Sequence, residues 1–139
     1  MVKVRKFAGY LADQPNVRKI ISPPYDVLDT EEARAMADGN EMCFLHVNKP
    51  EIDLPVGTDL YSQQVYDTGR DNLLKFIKSG YLVKDKEERM YIYMQRMGEQ
   101  RQYGIVGVSS IEDYENGKIK RHEYTIKKKE DDRTKLTNI

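Results

Sequence analysis

The sequence predicts an α+β fold, in which helices pack on a small mixed sheet with a late antiparallel hairpin and the last helix is charged. Three observations support this class. Apolar residues between positions 59 and 79 recur at helical spacing, and two strand-like segments, 89–97 and 102–109, flank a polar connection. Single helices separate the earlier strands, without the repeated βαβ order of a parallel sheet. With 139 residues, a single domain over positions 1–139 is expected.

The amino-terminal part is predicted to be extended up to its first helix. Residues 16–21 are predicted to form a short strand or an extended arm. Residues 22–27 contain two prolines that withhold amide donors, which indicates a stiff exposed turn. Asp29 then occupies an N-cap position with Glu32 three residues later, as in a capping box, and Gly39 ends this helix. The apolar run 42–47 is predicted as a buried strand, and 48–58 as a loop.

The helix predicted over 59–79 is the clearest element. Its apolar stripe includes Gly69, whose missing side chain allows another backbone to approach closely, and Gly80 is placed to end the helix. After the hairpin, Ser110 is predicted to cap a short helical turn that ends at 116–117. The segment from His122 onward is predicted to be a charged helix.

Composition narrows the functional classes. Lys+Arg and Asp+Glu both total 23, so no overall field favours nucleic acid, and binding to it is not expected. No run approaches roughly 18 apolar residues, so no membrane span is predicted, and a cytoplasmic location is expected. The hydrophobic fraction of 39% is low, so either the core is thin or sequence outside this chain normally covers part of the surface. The single Cys43 is predicted to be buried, and no metal site is predicted from one cysteine and two distant histidines.

The last helix carries the first set of candidate site residues. Successive residues of a helix are rotated by about 100° around its axis, so several polar residues of this segment fall on one face. An imidazole, a hydroxyl, cations and a carboxylate together suit a phosphate-handling or acid-base site. A charged helix that faces solvent is the open alternative. The face comprises His122, Thr125, Lys129, Asp132, Arg133 and Leu136.

The proline turn carries the second set. It is either a rigid elbow that leads into the next helix, or a support that presents Tyr25 and Asp26 to a ligand with little entropy left to lose. His46, inside an apolar run, is predicted to be a hydrogen-bonded histidine rather than a ligand. His122-Glu123 begins like H-E-x-x-H, but Ile126 stands at the second histidine position, so a zinc-protease motif is absent.

Several short motifs occur in order along the chain. They are Ser22-Pro23-Pro24-Tyr25-Asp26-Val27, Phe44-Leu45-His46-Val47, Pro50-Glu51-Ile52-Asp53, Tyr91-Ile92-Tyr93, His122-Glu123-Tyr124-Thr125 and Lys129-Glu130-Asp131-Asp132-Arg133. This series resembles the start of the bacterial and archaeal family known as domain of unknown function 1015. The resemblance implies that the chain is the amino-terminal part of a longer protein, because family members continue to an Asp-Gly-His-His-Arg element that resembles the ParB and sulfiredoxin superfamily.

By this distant analogy the resemblance implies a small-molecule kinase that uses ATP or ADP with Mg²⁺, similar to a free-serine kinase. In that reading Lys129 and Arg133 hold phosphate oxygens, Asp26 or Glu123 orients the attacking hydroxyl, and His122 binds a phosphate or shuttles a proton. Tyr25, Thr125 and Asp132 complete the phosphate and substrate contacts. Two rival hypotheses remain: a nucleotide-binding regulatory module without turnover, and a structural or assembly domain. A homo-oligomer is also left open.

Overall fold

The computed structural model describes residues 1–120 and 124–138. Its short strands pair antiparallel and its last helix is C-terminal, which confirms the α+β class. Two 3₁₀ helices, Gln14–Asn16 and Pro50–Asp53, are also present. The strands are β1 (Val4–Arg5), β2 (Tyr10–Ala12), β3 (Leu82–Lys84), β4 (Tyr91–Met97), β5 (Gln100–Val106) and β6 (Val108–Ser109). The α-helices are α1 (Val17–Ile20), α2 (Thr30–Ala37), α3 (Leu45–Asn48), α4 (Gln63–Lys78), α5 (Ile111–Glu115) and α6 (Lys127–Thr137).

The chain divides into two compact units. The first contains Met1–Leu11 and Lys84–Tyr124, and the second contains Ala12–Val83 and Thr125–Ile139. In the first unit β1 pairs with β6, and β4 pairs with β5 in the predicted hairpin, whose connection includes Gly98 at φ +60°. Both directly paired isoleucines of the hairpin, Ile92 and Ile105, are more than three-quarters exposed.

The core of the second unit consists of two clusters of buried side chains. The first joins α2, α3 and the Pro50–Asp53 helix, and it contains the thiol of Cys43, which confirms the buried cysteine. The second joins α1, α3 and α4 around Phe76. The members of the first are Ala33, Ala37, Cys43, Leu45 and Ile52, and those of the second are Ile20, Val47 and Phe76.

Local signals predicted two helices of this unit correctly. The capping box of α2 is present: the amide of Glu32 donates to Asp29 Oδ1 at 2.8 Å, and the amide of Asp29 donates to Glu32 Oε2 at 2.9 Å. Helix α4 is the predicted apolar helix, and Gly80 follows it at φ +76°, a conformation that favours glycine. Gly69 does allow a close approach, although the atoms that approach belong to the side chains of Leu136 and Pro50 rather than to a backbone.

The prediction of a strand over 42–47 is wrong. The second half of this run forms α3, in which Leu45 belongs to the first buried cluster and Val47 to the second. The run is rich in apolar residues because it passes between the two clusters. A short apolar run does not distinguish a buried strand from a buried helical turn.

The prediction of a strand over 16–21 is also wrong. Pro15 lies in the first turn of the Gln14–Asn16 helix, where its fixed φ and missing amide proton are tolerated. The amide of the Asn16 side chain donates to Asp13 Oδ2 at 2.8 Å, and α1 follows directly with Ile20 buried. Side-chain bonding at this helix start outweighed the strand propensity of the apolar residues.

Helix α6 begins five residues later than predicted, at Lys127. Ile126 is extended, so Thr125 precedes the helix, and the Thr125 hydroxyl donates to Glu130 Oε2 at 2.7 Å. Thr125 is therefore not on the predicted helical face. His122, which was predicted to start that face, lies outside the described residues.

Candidate functional site

A cavity of about 250 Å³ lies within the second unit. Its wall is formed by the turn after α1, the stretch that joins α3 to the Pro50–Asp53 helix, the start of α4 and one face of α6. Charged and aromatic side chains alternate with apolar ones around it. The lining residues are Tyr25, Asp26, Leu28, Asn48, Lys49, Pro50, Glu51, Leu60, Tyr61, Val65, Tyr66, Lys129, Asp132, Arg133 and Leu136.

Helix α6 contributes four of these residues: Lys129, Asp132, Arg133 and Leu136. Their spacing of three, four and seven residues places them on one side of an α-helix. From Lys129 onward, the face predicted from the sequence is therefore the one that lines the cavity.

The guanidinium of Arg133 is fixed by three different groups. It lies over the ring of Tyr25, 4.1 Å from the ring centroid, and its Nη1 donates to the carbonyl of Asn48 at 3.2 Å. Its Nε and Nη2 donate to Asp132 Oδ2 at 2.9 and 2.6 Å. These bonds use three of the five N–H groups of a guanidinium, so two remain for a ligand.

Asp132 is a positioning group rather than an open acceptor. Besides the two bonds from Arg133, it accepts a hydrogen bond from the Tyr66 hydroxyl at 3.0 Å, and its side chain is 14% exposed. Burial is the main cause that raises the pKa of Tyr66 to about 12, and the bond to the Asp132 carboxylate is the second. The hydroxyl therefore stays protonated and keeps donating at neutral pH. Asp132 thus fixes the orientation of Arg133 on α6 relative to α4.

A second ion pair forms the opposite part of the wall. Lys49 Nζ lies 3.1 Å from Glu51 Oε1, and both side chains are nearly buried, at 12% and 11% exposure. The Thr30 hydroxyl donates to the same Glu51 oxygen at 3.5 Å. A buried carboxylate and a buried ammonium each cost free energy to desolvate, so they are found together.

Two charges of the wall make no ion pair within residues 1–120 and 124–138. They are the carboxylate of Asp26, in the proline turn, and the ammonium of Lys129, on α6. The remaining four charged side chains neutralise each other in the pairs Lys49–Glu51 and Arg133–Asp132. The cavity therefore offers a ligand one uncompensated anion, one uncompensated cation and the two free N–H groups of Arg133.

Helix α6 is attached by polar and aromatic contacts, and none of its described residues is buried. Lys128 Nζ lies 4.6 Å from the centroid of the Tyr61 ring. Leu136 is its apolar contact with α4, over Gly69, where an added Cβ would lie 2.8 Å from Leu136 Cδ1. A residue with a side chain at position 69 would require the Leu136 side chain to move from this contact.

The structure brings together five of the predicted site residues: Tyr25, Asp26, Lys129, Asp132 and Arg133. Thr125 does not line the cavity, since its hydroxyl binds Glu130 instead. His122 and Glu123 lie outside the described residues.

Sequence reasoning missed Lys49, Glu51 and Tyr66. The opposite charges on the two sides of Pro50 were an available signal for the first two, because a proline between them holds the backbone stiff. Tyr66 was assigned to the apolar stripe of α4, and no local pattern reveals that its hydroxyl bonds to a residue 66 positions away.

Within the part of the chain that the structure describes, no group of three His, Cys, Asp or Glu side chains is arranged to hold a metal ion. In the same residues, no helix is both long enough and apolar enough to cross a membrane.

The second unit of this α+β fold contains a cavity lined in part by charged side chains, which is the candidate ligand site. The profile of the family described as "Protein of unknown function (DUF1015)" matches residues 4–139, so the chain belongs to this family. No curated protein and no solved structure matched the chain.

Proposed function

We propose that this region provides the acceptor-binding pocket of a nucleotide-dependent phosphotransferase that acts on a small hydroxyl compound. The observation that supports this proposal is the meeting of Asp26 with Lys129 and Arg133 around one cavity, from segments about a hundred positions apart in the sequence. Phosphoryl transfer depends mainly on positioning and on stabilisation of charge, and these are the groups that do both.

Each group has a distinct task in this proposal. Lys129 and the two free N–H groups of Arg133 bind oxygens of the transferred phosphate, while Asp26 accepts the proton of the attacking hydroxyl or orients it. Asp132 does not contact the substrate, because its acceptors already serve Arg133 and Tyr66. His122 and Glu123 remain predicted proton-transfer residues.

The volume of the cavity supports a small acceptor. At about 250 Å³ it lies below the roughly 300–1,000 Å³ of sites that enclose drug-sized ligands. A metabolite the size of free serine fits such a space, whereas ATP or ADP would place most of its atoms outside it. Mg²⁺ would come with the nucleotide phosphates, whose oxygens usually supply part of its ligands.

A structural role is the second candidate, and the bonding of Arg133 favours it. The contacts of Arg133 to Tyr25 and Asn48 would by themselves serve to hold α6 against the rest of the unit. In that case substitutions at Arg133 lower stability or association without a loss of ligand binding. The regulatory alternative, a nucleotide-binding module without turnover, is distinguished by nucleotide binding in the absence of any product.

The decisive experiment combines the protein with ATP or ADP, Mg²⁺ and a panel of small hydroxyl compounds that includes free serine. Phosphorus NMR then detects a new phosphomonoester. We expect Asp26→Asn to lower kcat strongly with little change in the nucleotide affinity, and Lys129→Gln to lower kcat/KM. A panel without any phosphorylated product, together with measurable nucleotide affinity by calorimetry, would refute the transferase and leave the regulatory module.

Lys127→Gln is a matched control for Lys129→Gln. Lys127 is on the same helix and loses the same charge, but its side chain is 78% exposed and pairs with Asp131 rather than lining the cavity. A general electrostatic effect of α6 would make the two variants equal. A specific role for the cavity requires the Lys129 variant alone to lose activity.

A further inference from the structure

His46 is bonded at both ring nitrogens, outside the cavity described above. Its Nδ1 lies 2.7 Å from Asp53 Oδ1, and its Nε2 lies 3.2 Å from the backbone carbonyl of Asn40. Both partners are acceptors, and a neutral imidazole has a single N–H. Only the doubly protonated imidazolium donates to both, so this geometry is matched to the charged form of His46.

Asn72 connects the pair to α4. Its Nδ2 donates to Asp53 Oδ2 at 2.7 Å and to the backbone carbonyl of His46 at 2.7 Å. We name this group of four residues, Asn40, His46, Asp53 and Asn72, the His46 clasp. It joins the segment after α2, helix α3, the end of the Pro50–Asp53 helix and helix α4.

The clasp closes the two ends of the segment that forms one wall of the cavity. His46 and Asp53 are seven residues apart, and between them lie Asn48, Lys49, Pro50 and Glu51, all of which line the cavity. The carbonyl that accepts from Arg133 belongs to this segment, at Asn48. Loss of the His46–Asp53 bond removes the direct side-chain link between the two ends of the wall, which are then joined through Asn72 alone within the clasp.

We infer that the His46 clasp is a pH-dependent regulator of this cavity, which holds the 48–51 wall in place when His46 is protonated and loosens it when His46 loses its proton. Deprotonation leaves one ring nitrogen without a proton, and the lone pair of this nitrogen then faces either the Asp53 carboxylate or the Asn40 carbonyl. The nitrogen and the oxygen that it faces repel each other, because both are acceptors. The inference rests on the proposed function of the cavity as a ligand site, but the geometry of the clasp stands independently.

The charged groups around His46 set the direction of the effect. The hydrogen bond to Asp53 is the largest contribution and raises the pKa of His46 above 6.5, while partial burial and the ammonium of Lys75 act in the opposite direction. Burial would raise the pKa of Asp53, but the bonds from His46 and Asn72 together outweigh it and lower that pKa. Charged side chains also face the open depression beside His46 from α2 and from the segment that follows it: Arg34, Asp38 and Glu41.

The sign of the pH dependence follows from the raised pKa of His46. Protonation of His46 favours the folded clasp, so the stabilisation is complete below about pH 6.5 and is lost as the pH rises through the higher folded value. Asp53 stays ionised over this range because its pKa is lowered. The clasp is therefore tight under mildly acidic conditions and open under alkaline ones.

The test is an NMR titration of the full chain between pH 5.5 and 9, with the His46 ring signals identified by their loss in His46→Gln. We expect the His46 midpoint to lie above that of the same ring in the urea-unfolded chain, and the amides of Lys49 and Glu51 to shift with the same midpoint as His46. In His46→Gln these amides should no longer follow that midpoint.

Asp53→Asn keeps the shape of the clasp and removes its negative charge, so the His46 midpoint should fall. Asp38→Asn is its matched control, because Asp38 lines the same depression without a bond to His46, and the midpoint should change less. A His46 midpoint at or below the unfolded one, or wall amides that do not follow it, overturns the inference.

Sulfate serves as a probe of the cavity, since it remains doubly charged throughout this range. We expect its affinity to fall several-fold from pH 6 to pH 8.5 in the natural protein and to stay constant in His46→Gln. An affinity that is measurable and equal at the two pH values refutes regulation. Absence of sulfate binding at any pH argues against the proposed anion-binding role of the cavity, while the amide titration still decides the clasp.

Discussion

Asp132 links α6 to α4 through its bond from the Tyr66 hydroxyl, and Asp132→Asn tests how much the attachment of α6 depends on it. Its carboxylate accepts bonds from Arg133 Nε and Nη2 and from the Tyr66 hydroxyl. Asparagine has the same shape but no charge, and it turns one acceptor into a donor. The Arg133 guanidinium then keeps a single neutral acceptor at this site, and the Tyr66 hydroxyl must rotate to accept.

The expected change in the free energy of opening α6 follows from the hydrogen bonds that Asp132→Asn removes. The bond that links α6 to α4 is the one from the Tyr66 hydroxyl, because Arg133 lies beside Asp132 on α6, and a hydrogen bond to a charged group contributes about 1.5–3 kcal/mol. We therefore expect the opening of α6 to become easier by about 2 kcal/mol, which is roughly a 30-fold change in the opening equilibrium. Hydrogen exchange of the α6 backbone amides measures that equilibrium directly.

The neighbouring Asp131→Asn is the matched control. Asp131 has the same chemistry in the same helix, but it is 54% exposed and pairs with the still more exposed Lys127. Pairs of this kind contribute little in water, so its amide exchange should stay close to that of the natural protein. Equal acceleration in the two variants would contradict the assignment of Asp132 as the anchor of α6.

The remaining predictions concern packing and capping. Gly69→Ala places a Cβ against Leu136 and Pro50. It should therefore destabilise the docking of α6 by about 1 kcal/mol, although alanine has the better helix propensity. The effect should be smaller when Leu136→Ala is already present. Asp29→Ala removes the side chain that caps α2 and should lower the unfolding free energy by about 1 kcal/mol in urea denaturation, whereas Thr58→Ala, in an exposed turn, should change it less. The signal for denaturation is tyrosine fluorescence, because the chain has ten tyrosines and no tryptophan.

Elements specified by local side chains were predictable from the sequence. The capping box of α2 needs only Asp29 and Glu32, and the hairpin needs a polar connection between two segments of strand formers. The 42–47 run was not predictable in this way. Its conformation depends on Leu45 and Val47 contacting two separate clusters, and the sequence does not show where the clusters lie.

The candidate site was predictable where helical periodicity determines it. The spacing of Lys129, Asp132 and Arg133 puts them on one face, which is the face that lines the cavity. Which of these three side chains bonds to other protein groups was not predictable. The substrate contact predicted for Asp132 stays a prediction, while the bonds that its oxygens accept from the Tyr66 hydroxyl and the Arg133 guanidinium could not be predicted, because the first depends on the distance between α4 and α6.

The manner in which α6 is attached also determines how tightly the cavity can bind a ligand. The helix has no buried residue, and cations on it rest on tyrosine rings: Arg133 on Tyr25 and Lys128 on Tyr61. Such contacts contribute about 0.5–1 kcal/mol each at exposed sites, which is much less than a buried apolar face provides. Because α6 supplies both Lys129 and Arg133 to the cavity, an undocked helix leaves no cationic half of the site. The apparent affinity for a ligand is therefore the intrinsic affinity multiplied by the docked fraction, so a substitution such as Asp132→Asn weakens binding in proportion to that fraction without any contact to the ligand.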